Sequence, residues 1–188
     1  YWRLNDADGN VARNAVMGGE PAQLTPGFAW YLPGVGSGTG IGLQEELTTS
    51  PFSGPNQINR AVHMAGGELQ GSFAPKDGDY SIVFWFWLGE RSGASERSGT
   101  LCVSPFGDTL SAKQSIDHQV RLELNGVATE LEWPADDWHQ VSIVHQKGNV
   151  AVYVDESSMP VAETNANSLV GTQQSACLSG KSSGKAVS

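Results

Sequence analysis

Trp85 and Trp87 stand two apart in the stretch DYSIVFWFWLGE, residues 79–90, and their rings are the first chemistry the sequence offers. Strand side chains alternate between faces, so Tyr80, Ile82, Phe84, Phe86 and Leu88 line one side, with Ser81, Val83, Trp85 and Trp87 on the other. If the first set packs inward, the two indoles face outward, where an aromatic ring suits the C–H face of a pyranose. A second group, Asp6, Asp8 and Asn10 in DADGN, offers oxygen ligands at a spacing of two, as a calcium loop does. It is not an EF-hand, because Val11 stands where that loop needs Gly and Met17 where it needs Glu. The competing account of such an Asx-rich turn is that its side chains bond their own backbone. The third group is Glu130 and Glu132 in TELEW. On one strand face their separation is about 6.6 Å at ~3.3 Å per residue, a distance at which a carboxylic acid and a carboxylate can cooperate.

Other reactive side chains give less. His63, His118, His139 and His145 are scattered, and no pattern gathers them around a metal. No CxxC pair occurs, so a thiolate zinc site is not supported. Cys102 and Cys177 either form one bridge or remain two buried thiols, and both readings stay open.

The elements that must position these groups are strands. HQVRLELNG alternates, with Val120, Leu122 and Leu124 on one face and Arg121 and Glu123 on the other, and its NG turn leads into ATELEWP as a predicted hairpin. In the next hairpin Val141, Ile143 and His145 share a face, QKGN turns, and Val150, Val152 and Val154 return. YWRL, AVHMAG, GELQGSF and TLCVSPFG read as further short strands. Consecutive strands without helical periodicity predict an all-β fold, an antiparallel two-sheet β-sandwich or barrel. Residues 17–57 are dense in Gly, Pro, Ser and Thr, and read as a long Gly/Pro-rich insertion in a single domain spanning residues 1–188. Their run GVGSGTGIG lacks the Lys-Ser/Thr of a phosphate-binding loop, so it predicts a mobile loop. Phe28, Trp30, Tyr31, Leu32 and Phe52 in that segment could instead fold over Trp85 and Trp87.

Charge narrows the partners. A net charge of −9, with no Lys/Arg cluster, argues against nucleic acid, whose phosphates would be repelled. No apolar window reaches the length of a membrane span, and the first residues do not resemble a signal peptide, so the chain reads as a mature or excised piece.

WHQVSIVHQKGNVAVYVDE, residues 138–156, resembles the W-H-x-V … Y-[hydrophobic]-D-G hairpin of laminin-G-like jelly rolls, within the concanavalin A-like lectin/glucanase superfamily. Trp138, His139, Val141, Val150, Val152, Tyr153, Val154 and Asp155 match in place, whereas Glu156 stands where that pattern has Gly. YSIVFWFWL is similar to the family's F-T-I-S-F-W-V strand, and YWRLNDADGNVARNAV to the opening of its bacterial members. The resemblance implies a concanavalin A-like jelly roll. The usual last strands are matched only at Cys177–Gly180, so the closing strand is expected to be missing or altered.

The same resemblance implies an extracytoplasmic module, attached to further domains, that binds a glycan or a protein partner, and such jelly rolls often hold one Ca²⁺. An architectural interaction domain without a small ligand is the second reading, and a glycosidase the third. ELEW lacks the Glu-x-Asp-x-(x)-Glu run of the glucanase relatives, so the sequence predicts no enzyme and no catalytic residue. Trp85 and Trp87 are the predicted ligand-binding residues, and Asp6, Asp8 and Asn10 the predicted metal ligands.

Overall fold

Asn125 and Gly126 both take positive φ, 50° and 82°, and Lys147 and Gly148 do the same at 51° and 80°. Two successive left-handed residues make the tight turn whose twist matches that of paired strands. These turns close the two hairpins legible in the sequence. The computed structural model describes residues 1–6, 8–35, 60–72, 78–89, 96–166 and 175–179.

Fifteen strands lie among the described residues. They are β1 (Val11–Ala12), β2 (Ala22–Leu24), β3 (Phe28–Pro33), β4 (Arg60–Met64), β5 (Glu68–Ser72), β6 (Tyr80–Phe86), β7 (Arg97–Val103), β8 (Thr109–Gln114) and β9 (Gln119–Leu124). There follow β10 (Val127–Ala128), β11 (Trp133–Pro134), β12 (His139–Gln146), β13 (Asn149–Val154), β14 (Ala162–Asn165) and β15 (Ser175–Ser179). The larger sheet runs β1-β2-β5-β15-β7-β8-β9-β10, with β11 also on β9. The smaller runs β14-β13-β12-β6, and β3 and β4 form a separate ribbon. Every pairing is antiparallel. The protein is an all-β two-sheet sandwich. No helix occurs among the described residues, so none is long and apolar enough to cross a membrane.

The core follows the period of two. Leu110 and Ala112, then Val120, Leu122 and Leu124, face Val141, Ile143, Val150, Val152 and Val154 from the smaller sheet, with Ile82 and Phe84 packed against them. A second apolar cluster joins Ala12, Ala22, Leu24 and Leu69 of the larger sheet to Phe28, Trp30, Val62 and Met64 of the β3–β4 ribbon, with Trp2 at its margin. Two elements thus cover the inner face of the long sheet: the four-stranded sheet at one end and the ribbon at the other.

β15 is the non-local closure. It pairs with β5 on one side and β7 on the other, so a late segment sits within the larger sheet. Its register sets Cys177 opposite Val103 and Leu178 opposite buried Cys102.

Several sequence expectations need correction. YWRL is not a strand: only Trp2 bridges, to Asn14. β6 ends at Phe86, leaving Leu88 outside it and 36% exposed. ATELEWP is not one strand either. Its ends form the two-residue β10 and β11, and residues 129–132 between them are irregular. Within the predicted insertion, Ala22–Leu24 and Phe28–Pro33 are strands, and residues 36–57 of it lie outside the described residues.

Candidate functional site: the tryptophan end of the outer sheet face

Register fixes which way the tryptophans of β6 point. Phe86 pairs with His139, Phe84 with Val141 and Ile82 with Ile143, all on the core side. Trp85 pairs with Gln140 and Val83 with Ser142 on the opposite side, where Val83 is 56% exposed. One step beyond the paired residues, Trp87 and Trp138 meet with ring centroids 6.4 Å apart and planes tilted by 31°. Continued alternation puts Trp87 and Trp138, which meet each other, at the same end of the four-stranded sheet as outward-facing Trp85. Each is half-buried.

Gly89 shapes this corner. It takes φ of 78°, and a Cβ added to it would lie 3.1 Å from Cη2 of Trp87, so the indole rests where a side chain would otherwise stand. Its backbone is fixed on both sides: the Gly89 amide donates to the Ala135 carbonyl at 3.1 Å, and its carbonyl accepts from Nε2 of Gln114 at 3.2 Å. The indole nitrogens of Trp87 and Trp138 are buried and find no acceptor among the described residues.

Trp138 was not among the predicted ligand-binding residues. The signal was present: Val141, Ile143 and His145 alternate inward, which puts Trp138 on the same outward face as Gln140. The expectation that Phe28 and Trp30 fold over Trp85 and Trp87 is corrected, because both pack in the second cluster, against the other end of the larger sheet. Phe52 lies outside the described residues.

Beside the indoles is a polar joint. Nδ1 of His139 lies 3.0 Å from Oδ2 of Asp155, and Nε2 lies 2.7 Å from the Pro134 carbonyl. The Gln140 amide donates to Oδ1 of Asp155 at 2.9 Å, and the Asp155 amide donates back to the Gln140 carbonyl at 2.8 Å. Asp155 holds a positive φ of 54°, which points its carboxylate back at the start of β12.

The other predicted groups lie elsewhere. Asp6 turns its carboxylate to Arg13: Oδ2 accepts the Arg13 amide at 3.1 Å and Oδ1 lies 3.6 Å from its guanidinium Nε. Asp6 and Arg13 line an open cleft of about 270 Å³ with Arg3, Asn5 and Asn14. Asp8 and Asn10 are exposed, and between them the Gly9 carbonyl accepts from the Trp30 indole at 2.8 Å. No group of three or more His, Cys, Asp or Glu suited to a metal occurs among the described residues. Glu130 and Glu132 do not share a strand face as expected, because the chain between β10 and β11 is irregular. Glu132 is bonded to Arg121 at 2.6 Å, and Glu123 stands half-buried on the side of β9 away from the core.

No family model and no curated protein sequence matches the chain. Among solved structures it is similar to a Bacillus licheniformis β-glucanase, with 13% identity and a TM-score of 0.38, over 96% of this chain and 84% of that one. It is also similar to a structure described as a native glycosidic hydrolase, at 11% identity and a TM-score of 0.33, over 84% and 83%. At these values the likeness transfers no residue, substrate or activity. It does correct one expectation: both similar chains are described as glycoside-cleaving enzymes, so the reading of this chain as no enzyme does not stand and its catalytic status is open.

Proposed function

We propose that the chain recognises a neutral glycan at the outer end of β6 and β12, with Trp85, Trp87 and Trp138 as the contact residues. The three half-buried indoles at one end of the sheet carry this reading, since an aromatic ring suits the C–H face of a sugar. Net charge −9 favours a neutral ligand over an acidic one, which the field of the protein repels. An extracytoplasmic setting beside further domains belongs to the same reading. So does dependence on Ca²⁺, with Asp8 and Asn10 as exposed oxygen donors and Asp6 already engaged by Arg13.

A protein partner is the second reading, favoured by Val83, an exposed apolar side chain beside Trp85 on the same face. Titration of neutral oligosaccharides, followed by tryptophan fluorescence with and without Ca²⁺, separates the two. Saturable quenching that Trp138→Ala weakens supports the glycan. Silence across a broad glycan array overturns it. Product analysis on the same mixtures distinguishes binding from turnover.

A further inference from the structure

His139 is buried, its side chain 6% exposed, and both of its ring nitrogens face oxygen atoms. The Pro134 carbonyl can only accept, so Nε2 must donate to it. An ionised Asp155 can also only accept, so Nδ1 must donate as well. Neutral imidazole has a single N–H and serves one of these acceptors, never both. The additional hydrogen belongs on the ring rather than on Asp155. The Asp155 carboxylate is 41% exposed, and its Oδ1 already accepts the Gln140 amide.

We propose that His139 and Asp155 form an imidazolium–carboxylate clasp, in which one proton fastens the start of β12 to Pro134 on one side and to the turn after β13 on the other. Loss of that proton opens one of the two joints. The groups around the ring fit a cation. From β6 it meets the uncharged ring of Phe86, at 5.8 Å between centroids. Asp136 and Asp137 precede it in the turn from β11, and Glu156 follows Asp155, so the charged residues of both flanking turns are acidic. On neighbouring β9, Arg121 stands on the side away from the core and is paired with Glu132. The clasp adjoins Trp138 in sequence but does not depend on glycan recognition.

Imidazole proton–nitrogen correlation spectra of the full chain across pH test this directly. In the folded chain both His139 nitrogens are expected to carry slowly exchanging protons. Raising the pH should move the ring signals together with the backbone amides of Gln140 and Asp155. Asp155→Asn should uncouple those amides from the ring. A bare nitrogen on His139 at every pH where the chain is folded would overturn the clasp, and so would a ring titration that leaves the Gln140 and Asp155 amides unmoved. If Asp155→Asn does not fold, the wild-type spectra decide alone.

Discussion

The indole of Trp2 lies over Gly71 so closely that a Cβ on Gly71 would sit 2.6 Å from Cη2 of the ring. Trp2 is otherwise held by its Nε1, which donates to the Glu20 carbonyl at 3.1 Å. The glycine is thus a seat: it lets the first residues of the chain lie on β5 and extend the second apolar cluster.

Gly71→Ala should therefore destabilise the fold, by about 1–3 kcal/mol as overpacked cores do. Trp2→Ala should remove most of that penalty, since the clash has a single partner. Melting curves of the two single variants and the double variant test this. Equal penalties for Gly71→Ala with and without Trp2 would show that the cost lies in the strand rather than in the seat.

A second relationship sets an alkaline limit. The Tyr80 hydroxyl donates to Oδ2 of buried Asp108 at 3.2 Å, and Nδ2 of Asn125 donates to Oδ1 at 2.9 Å. Burial is the largest cause that pushes the Tyr80 phenol well above its ordinary range, and the Asp108 charge adds to it, while a Ser104 hydrogen bond acts the other way. The folded state therefore holds this proton more tightly than the unfolded chain, whose Tyr titrates at about 10. Its contribution to stability is complete below that value and is lost as pH rises from there towards the folded pKa. Thermal melts should fall steeply above pH of about 10, and Tyr80→Phe should flatten that fall. Phenolate absorbance from Tyr80 appearing together with the other tyrosines in the folded chain would overturn it.

The indole cluster gives a paired expectation. Because Trp85, Trp87 and Trp138 are half-buried, each contributes to both packing and recognition. Single replacements by Ala should lower the melting temperature and weaken glycan binding by roughly two- to tenfold, the equivalent of one stacking contact. A large loss of stability with affinity unchanged would reassign the cluster to packing.

Much of the sandwich was legible because its signals are local. The alternation of Val120, Leu122 and Leu124, and the NG and KG turns with their positive φ, specify hairpins without reference to anything distant. β1, β2 and β3 were not legible. Their faces are specified by Trp2, Val62, Met64 and Leu69, residues remote in sequence, so no local period announces them. Trp85 and Trp87 could be placed outward from alternation alone, yet Trp138 joins them only through the pairing of β6 with β12. The Asp155 carboxylate reaches His139 through a positive φ at a non-glycine residue, which composition does not foretell.

The position of β15 yields the last prediction. Residues 175–179 pair on both sides, with five positions matched to β5 and two to β7, so both neighbours depend on this strand for their inner ladder. Proline cannot donate to a ladder and is excluded from central strands. Ala176→Pro should then break hydrogen bonds at the sheet's middle and leave edges of β5 and β7 open, and exposed edges pair with other chains. Hydrogen exchange should accelerate in both strands, and the variant should aggregate at concentrations where the parent chain stays monodisperse. The hairpin of β12 and β13 belongs to the other sheet, so its amides should keep more protection than those of β5 and β7. Uniform loss of protection across both sheets would mean that β15 closes the whole sandwich as one cooperative unit. Unchanged exchange in β5 and β7 would show that β15 does not hold them together at all.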